Sequence, residues 1–300
     1  MNNMQWLENW LVSRQAQHQS LETLKAYRRD LTDFLTFIDR KKIDIYQLET
    51  SDLREYISYK VEIDHLSSST LQRQLSAIRQ FMKWLNENHV LPQNICQDFQ
   101  LKRQPRPLPG LIDPDTIIEL LDQLEPATER DQQLWIRDKA ILELLYSSGI
   151  RLSEIQALRF KDIDFQRQLL RILGKGNKER IVPFGQKSKQ ALITWIQIYQ
   201  LWKGGFQPSD AVFVSLKGQA LSARQIENRV KFQAKRAGIN VNLHPHLLRH
   251  CFASHMLAES GDLRAVQEML GHSNLSTTQV YTHLDFARLA AVYDKAHPRA

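Results

Sequence analysis

At 300 residues the chain is long for one domain and ample for two, and its 42% hydrophobic content is enough to build cores. No apolar run approaches the ~20 residues of a membrane span. The start, MNNMQWLENW, lacks a basic stretch followed by an apolar one, so no secretory leader is expected. Two cysteines, Cys96 and Cys251, are too few for a disulfide framework, and a reducing cytoplasm is the expected home. Forty Lys and Arg against 33 Asp and Glu leave a net charge of +7, a mild pointer to a polyanionic partner.

The first hundred residues read as helices alone. MQWLENWLVSRQ and SDLREYISYKVE each fit an amphipathic helix. In SLETLKAYRRDLTDFLTFIDR the apolar positions Leu24, Tyr27, Leu31, Phe34, Leu35 and Ile38 recur at helical spacing, with Ser20 as the expected N-cap. In STLQRQLSAIRQFMKWLNEN the stripe is Leu71, Leu75, Ile78, Met82 and Leu85, and Ser69 with Gln72 predicts a capping box. Four such helices with short links predict a small bundle. Lys25, Arg28, Arg29, Arg73, Arg79 and Lys83 fall on its outer faces. These are either solvated positions or a surface that grips phosphates.

LKRQPRPLPG follows, with three alternating prolines and three basic residues, and reads as a stiff extended linker. Beyond it Asp113-Pro114 predicts a helix start. Helices are expected in DTIIELLDQL and LWIRDKAILELLYSSG. QLLRILGKGNKERIVPF reads as strand, turn, strand, and AVFVSL as one more short strand. The remainder is expected to be helical. The expectation is therefore a mainly α chain with a helical bundle over residues 1–90, a linker over 91–110, and an α-rich domain with a small antiparallel β-sheet over 111–300.

Four places in this second domain carry chemistry. In SSGIRLSEIQALR, Arg151 follows a glycine turn at a helix start, and Glu154 three residues on can hold its guanidinium. The plain alternative is a surface ion pair. In GKGNKER, Lys175 sits between glycines at a hairpin tip; such a lysine is usually just solvated, yet the glycines allow close backbone approach to a ligand. In HPHLLRH, His246 and Arg249 share a helical face with His250 beside them. The His246–His250 spacing would suit zinc, but Leu247 stands where a zinc protease carries its glutamate, and Arg249 beside a cation is unfavourable. An imidazole next to a guanidinium suits an anion better. In MLGHSNLSTTQVYTH a helix ends at Gly271, His272 follows, Ser276 and Gln279 predict a capping box for the next helix, and that helix carries Tyr281 near its start.

Two arginines, a lysine, two histidines and a tyrosine form an inventory suited to phosphodiester attack. Arginines can fork onto non-bridging oxygens, a lysine can protonate a leaving alkoxide, and a tyrosine can be the nucleophile. A non-catalytic DNA-binding module would not need the complete set.

At these residues the sequence resembles the tyrosine recombinases, the phage integrase-like family. Arg151, Lys175, His246-Leu247-Leu248-Arg249, His272 and Tyr281 match its Arg, Lys, His-x-x-Arg, His, Tyr pattern in order and spacing. SGIRLSE, GKGNKER, LRAVQEMLGHSNLSTTQVYTH and the tail DFARLAAVYDKAHPRA resemble the branch that resolves chromosome dimers. Leu247 and Cys251 depart from the lysine and serine common there, at positions without a catalytic role.

The resemblance implies a SAM-like core-binding domain in front and the DNA breaking-rejoining enzyme fold behind. It implies that Tyr281 attacks the scissile phosphate to leave a 3′-phosphotyrosine, with Arg151 and Arg249 holding the non-bridging oxygens. Lys175 would be the general acid, His246 would assist proton transfer, His272 would hydrogen-bond the phosphate, and His250 would support them from behind. It implies no cofactor, metal or ATP. It implies double-stranded DNA with a dif-type site as substrate, an XerD-like recombinase in a heterotetramer, an FtsK-like translocase regulating that partner, and a tail after Tyr281 that docks on a neighbouring subunit. An integrase of a mobile element shares the chemistry, but often carries an arm-binding domain before the helical region, which here is expected at the first residues. A type IB topoisomerase also shares it, acting as a monomer.

Overall fold

The computed structural model describes residues 2–96, 99, 110–174, 179–271 and 283–300, the stretch 283–288 by its backbone alone. The chain forms two units, residues 1–106 and 107–300. No helix among the described residues is long and apolar enough to cross a membrane.

The first unit is a bundle of α1 (Asn3–Ala16), α2 (Leu21–Arg40), α3 (Thr50–Glu62) and α4 (Ser68–Glu87). The apolar stripes meet as their spacing requires: Leu31, Phe34, Leu35 and Ile38 of α2 and Ile78, Met82 and Leu85 of α4 are fully buried, around Trp10 and Phe81. Ser20 caps α2 by accepting from the Thr23 amide. The cap of α4 is Ser67, which accepts from the Thr70 amide; the expected Ser69 box does not form. With serine at 67, 68 and 69, the helix extends to the earliest residue able to cap it.

The six basic residues expected on the bundle's outer faces each have a partner. Lys25 pairs with Glu22 at 2.8 Å and Lys83 with Glu87 at 3.6 Å, all four side chains exposed. Arg28 grips both carboxylate oxygens of Glu8. Arg73 and Arg29 flank the buried Asp30, and Arg79 donates to the Phe99 carbonyl at 2.6 Å.

The second unit contains α5 (Pro114–Leu121), α6 (Glu129–Ser148), α7 (Leu152–Ala157), β1 (Ile163–Asp164), β2 (Leu169–Leu173), β3 (Glu179–Pro183), α8 (Gln186–Lys203), α9 (Ala223–Arg236), α10 (Pro245–Ser260), α11 (Leu263–Leu270) and α12 (His283–Ala296). Asp113 caps α5 with Pro114 in its first turn. Helix α6 is the spine, buried on every face from Ala140 to Ser148 with α8, α9 and α10 packed around it. The strands form one antiparallel sheet in the order β1-β2-β3, with Leu170 opposite Val182 and Ile172 opposite Arg180.

Residues 211–216 do not form the expected strand; only isolated bridges join Arg159 to Ala211 and Val214 to Ala220. Side chains have taken the carbonyls a ladder would use. Trp195 donates Nε1 to the Val212 oxygen at 2.8 Å, and Arg137 donates to that of Val214 at 3.3 Å.

Candidate active site

The site is built where α6 ends. Gly149 closes that helix in the left-handed region at φ +58°. A Cβ there would lie 2.3 Å from the Phe252 ring, so α10 packs directly on the turn. Two residues later Arg151 opens α7, its side chain one third exposed. Glu154 turns back as its spacing predicts, accepting from the Arg151 amide at 2.7 Å and from Arg151 Nη1 at 2.9 Å.

Arg180 also holds Glu154, through Nη1 and Nη2 at 2.8 Å each. Burial by itself would push the Glu154 carboxyl upward. The Arg180 hydrogen bonds and the Arg151 amide outweigh it and hold the group at about 2. Arg180 Nε reaches the Met269 carbonyl at 3.2 Å, near the end of α11.

Arg249 reaches the same two segments from α10. It donates Nη1 to the Gly149 carbonyl and Nη2 to the Leu270 carbonyl, the latter at 2.7 Å. Burial, then the charge of Arg151, lower its pKa to about 10, which still leaves a full charge at neutral pH. Arg151 and Arg249 lie within reach of each other's charge, and the described carboxylate beside them, Glu154, is already shared between Arg151 and Arg180, a setting suited to an anion.

His246 lies exposed in the first turn of α10, three residues before Arg249. His250 is exposed as well. His244 is the N-cap of α10, its Nδ1 accepting from the Leu247 amide at 3.2 Å, and His255 Nδ1 meets the Tyr146 hydroxyl at 2.9 Å. These last two have structural partners, in keeping with their unremarked place in the sequence.

Lys175, His272 and Tyr281 lie outside the described residues, as do the Ser276–Gln279 box and most of the linker. Described segments flank them. β2 and β3, which bracket Lys175, pair as far as Leu173 opposite Glu179. Gly271, which precedes His272, caps α11 at φ +66°, and a Cβ on it would lie 2.7 Å from Arg180 Cδ. α12 begins two residues after Tyr281.

Sequence reasoning passed over Arg180, although a signal was present. Strand alternation puts it on the face of Val182, which is core, so this arginine had to point inward and needed a buried acid.

Residues 111–288 match the phage integrase family, and residues 6–89 match the phage integrase N-terminal SAM-like domain. This chain belongs to the phage integrase family. Among its tyrosine recombinase relatives, the tyrosine recombinase XerC of Pseudomonas syringae pv. tomato (strain ATCC BAA-871 / DC3000) is 42% identical over 298 residues, covering 99% of this chain and 97% of the relative. The tyrosine recombinase XerC of Histophilus somni (strain 2336) is 43% identical over 279 residues, covering 93% and 92%. The fold is that of the integrases too. The site-specific recombinase XerH bound to a palindromic difH substrate, in a post-cleavage complex, superimposes with a TM-score of 0.69 at 23% identity, covering 95% of this chain and 82% of that one.

Proposed function

We propose that this integrase-family chain cuts and rejoins DNA at a dif-type site, working with an XerD-like partner to resolve chromosome dimers. The observation that carries the chemistry is that Arg151, two residues after Gly149, and Arg249, which donates to the Gly149 carbonyl, lie close enough for each to feel the other's charge, Arg151 held by Glu154 and Arg249 by the Gly149 and Leu270 carbonyls. Attack on a phosphodiester builds negative charge on the non-bridging oxygens, and preorganised donors stabilise it without reorganising during the step.

Tyr281 Oη attacks phosphorus and the bond to the 5′-oxygen breaks. His246 takes the phenolic proton and Lys175 delivers one to the departing 5′-oxygen, while His272 hydrogen-bonds the phosphate. The 3′-phosphotyrosine keeps the phosphodiester's bond energy, so attack by a 5′-hydroxyl reverses the steps without ATP.

Residues 1–90 act as the core-binding clamp, 91–110 as the linker around the duplex, and 111–300 as the catalytic domain. The recombinase works in the cytoplasm within a heterotetramer, an FtsK-like translocase controls the partner, and the segment after Tyr281 docks on a neighbouring subunit. Full-length relatives named XerC support this branch of the family.

The test is a nicked suicide duplex carrying a dif-type site, incubated with the protein in EDTA. A covalent protein–DNA band is expected from the wild-type chain and none from Tyr281→Phe. A wild type without the band, or a Tyr281→Phe variant with it, overturns the assignment.

A further inference from the structure

We infer that Arg180 is a positioning residue for strand cleavage, acting through Glu154 to fix the guanidinium of Arg151 and the turn that leads into His272. The inference rests on the phosphate-binding role proposed above for Arg151.

Stability alone does not explain this arginine. Its inward neighbours on the sheet, Leu170, Ile172 and Val182, are all apolar and buried. A buried ion pair in such a place is often no better for stability than hydrophobic residues of similar volume. What Arg180 supplies is geometry. Each Glu154 oxygen accepts one bond from Arg151 and one from Arg180: Oε1 from the two Nη1 atoms, Oε2 from the Arg151 amide and Arg180 Nη2. The carboxylate is thus saturated and cannot turn without breaking bonds to both arginines.

The third nitrogen of Arg180 takes the Met269 carbonyl, one of those that the end of α11 leaves without a helical partner. The side chain then runs beneath Gly271, where any Cβ would collide with it. One guanidinium therefore joins β3, the start of α7 and the end of α11. These are the segments adjoining Lys175, Arg151 and His272. A lysine could not make this connection, because its single nitrogen cannot span both Glu154 oxygens in a planar fork.

The connection has a signature beyond folding. With Arg180 present Glu154 stays ionised well into acid. Without it, burial acts against one remaining arginine and the carboxyl takes up a proton at milder pH, releasing Arg151.

The test compares wild type, Arg180→Gln, Arg180→Lys, Glu154→Gln and the double variant Glu154→Gln/Arg180→Gln. For each, duplex affinity and the rate of covalent-complex formation at saturating protein are followed from neutral to mildly acidic pH, using the suicide duplex. Arg180→Gln is expected to slow cleavage about 100-fold, the scale of a small misplacement of a catalytic group, with affinity unchanged. It is also expected to lose rate toward acid more steeply than wild type and the double variant, which share every other titrating group of the site, His246 included. Arg180→Lys is expected to be slowed, with partial recovery relative to Gln, and it carries the test if the Gln variant does not fold. An unchanged rate, a parallel fall in affinity, or an acid dependence in Arg180→Gln no steeper than that of wild type overturns the inference, as does an Arg180→Lys variant with wild-type rate. A wild-type chain that forms no Tyr281-dependent adduct overturns the proposed function, and this inference with it.

Discussion

Arg299 lies against Asp122 through two parallel bonds, Nη1 to Oδ2 and Nη2 to Oδ1, both 3.0 Å, so the next-to-last residue of the chain is tied to the end of α5. The same guanidinium reaches Glu143 on the buried spine helix through Nε and Nη2. Tyr293, Ala296, His297 and Arg299 are all buried within their own unit, and the Arg299 carbonyl passes so close to Gly185 that a Cβ there would lie 2.1 Å away. Docking on a neighbour, as proposed, would exchange these contacts rather than extend a free tail.

Arg299→Ala should therefore destabilise the second unit by about 3–5 kcal/mol, because it leaves Glu143 charged and buried without its partner. Burial already raises the Glu143 carboxyl above its usual range, against the opposing pull of Arg299. A carboxyl with a raised pKa favours folding at low pH and costs stability as it ionises. The penalty of the substitution should thus be largest at neutral pH and shrink in mild acid, where Glu143 takes up a proton. Denaturant titrations of both proteins at the two pH values measure this. A penalty that stays constant or grows in acid contradicts it.

His297 makes a second acid-sensitive point. It is buried among Tyr146, Tyr293 and Phe252, its Nδ1 accepts from the Arg299 amide at 3.0 Å, and burial lowers its pKa to about 3. The unfolded chain binds a proton near 6.5 that the folded chain refuses until about 3. The stability from keeping the ring neutral is complete above about 6.5 and is lost as pH falls toward 3, by about 1.4 kcal/mol per unit at most. His297→Gln keeps an acceptor for the amide without the titration. Its stability between neutral pH and pH 4 should fall less steeply than that of wild type; equal slopes would show that His297 does not control this range.

Much of this was legible because it is periodic or local. Stripes such as Leu31–Phe34–Leu35–Ile38 specify a helix and its buried face together, and Arg151–Glu154 is a contact within one turn. Gly149 and Gly271 were legible as turns for the same reason. What escaped depends on distant partners. Arg180 meets Glu154 across 26 residues, Arg299 meets Asp122 across 177, and the carbonyls of Val212 and Val214 are claimed by side chains of α8 and α6. Helix α8 is not among the expected elements. β1, two residues long, is too short to show any alternation.

The Gly149 turn offers a test of local geometry. Gly149→Ala combines left-handed backbone strain with a collision against Phe252, a cost of about 2–4 kcal/mol. Gly261, at the end of α10, has nearly the same φ, +65°, and a Cβ added there would meet nothing within 4 Å. Gly261→Ala should cost only the strain, about 1 kcal/mol. Since Gly149 also presents its carbonyl to Arg249, only the Gly149 variant should lose cleavage activity out of proportion to its stability. Melting temperatures and cleavage rates of the two variants, taken side by side, decide the matter; equal losses would mean that the Phe252 contact and the Arg249 anchor are irrelevant.

DNA affinity should divide the basic residues of the first unit by how firmly they are held. Lys25 and Lys83 sit in exposed pairs with Glu22 and Glu87, which contribute little and can be exchanged for phosphate contacts. Arg28 is held on both oxygens of Glu8, and that interaction lowers the Glu8 carboxyl below its ordinary value. Exchanging it for phosphate requires breaking a two-point pair. Lys25→Ala and Lys83→Ala should each weaken duplex binding and reduce the slope of log affinity against log salt by about 0.9, one phosphate contact apiece. Arg28→Ala should leave the slope unchanged. The measurement is a salt series of binding isotherms on one duplex. If all three variants keep the wild-type slope, these helix faces are solvated surfaces and the clamp grips DNA elsewhere; if Arg28→Ala alone reduces it, the assignment of free and committed charges is reversed.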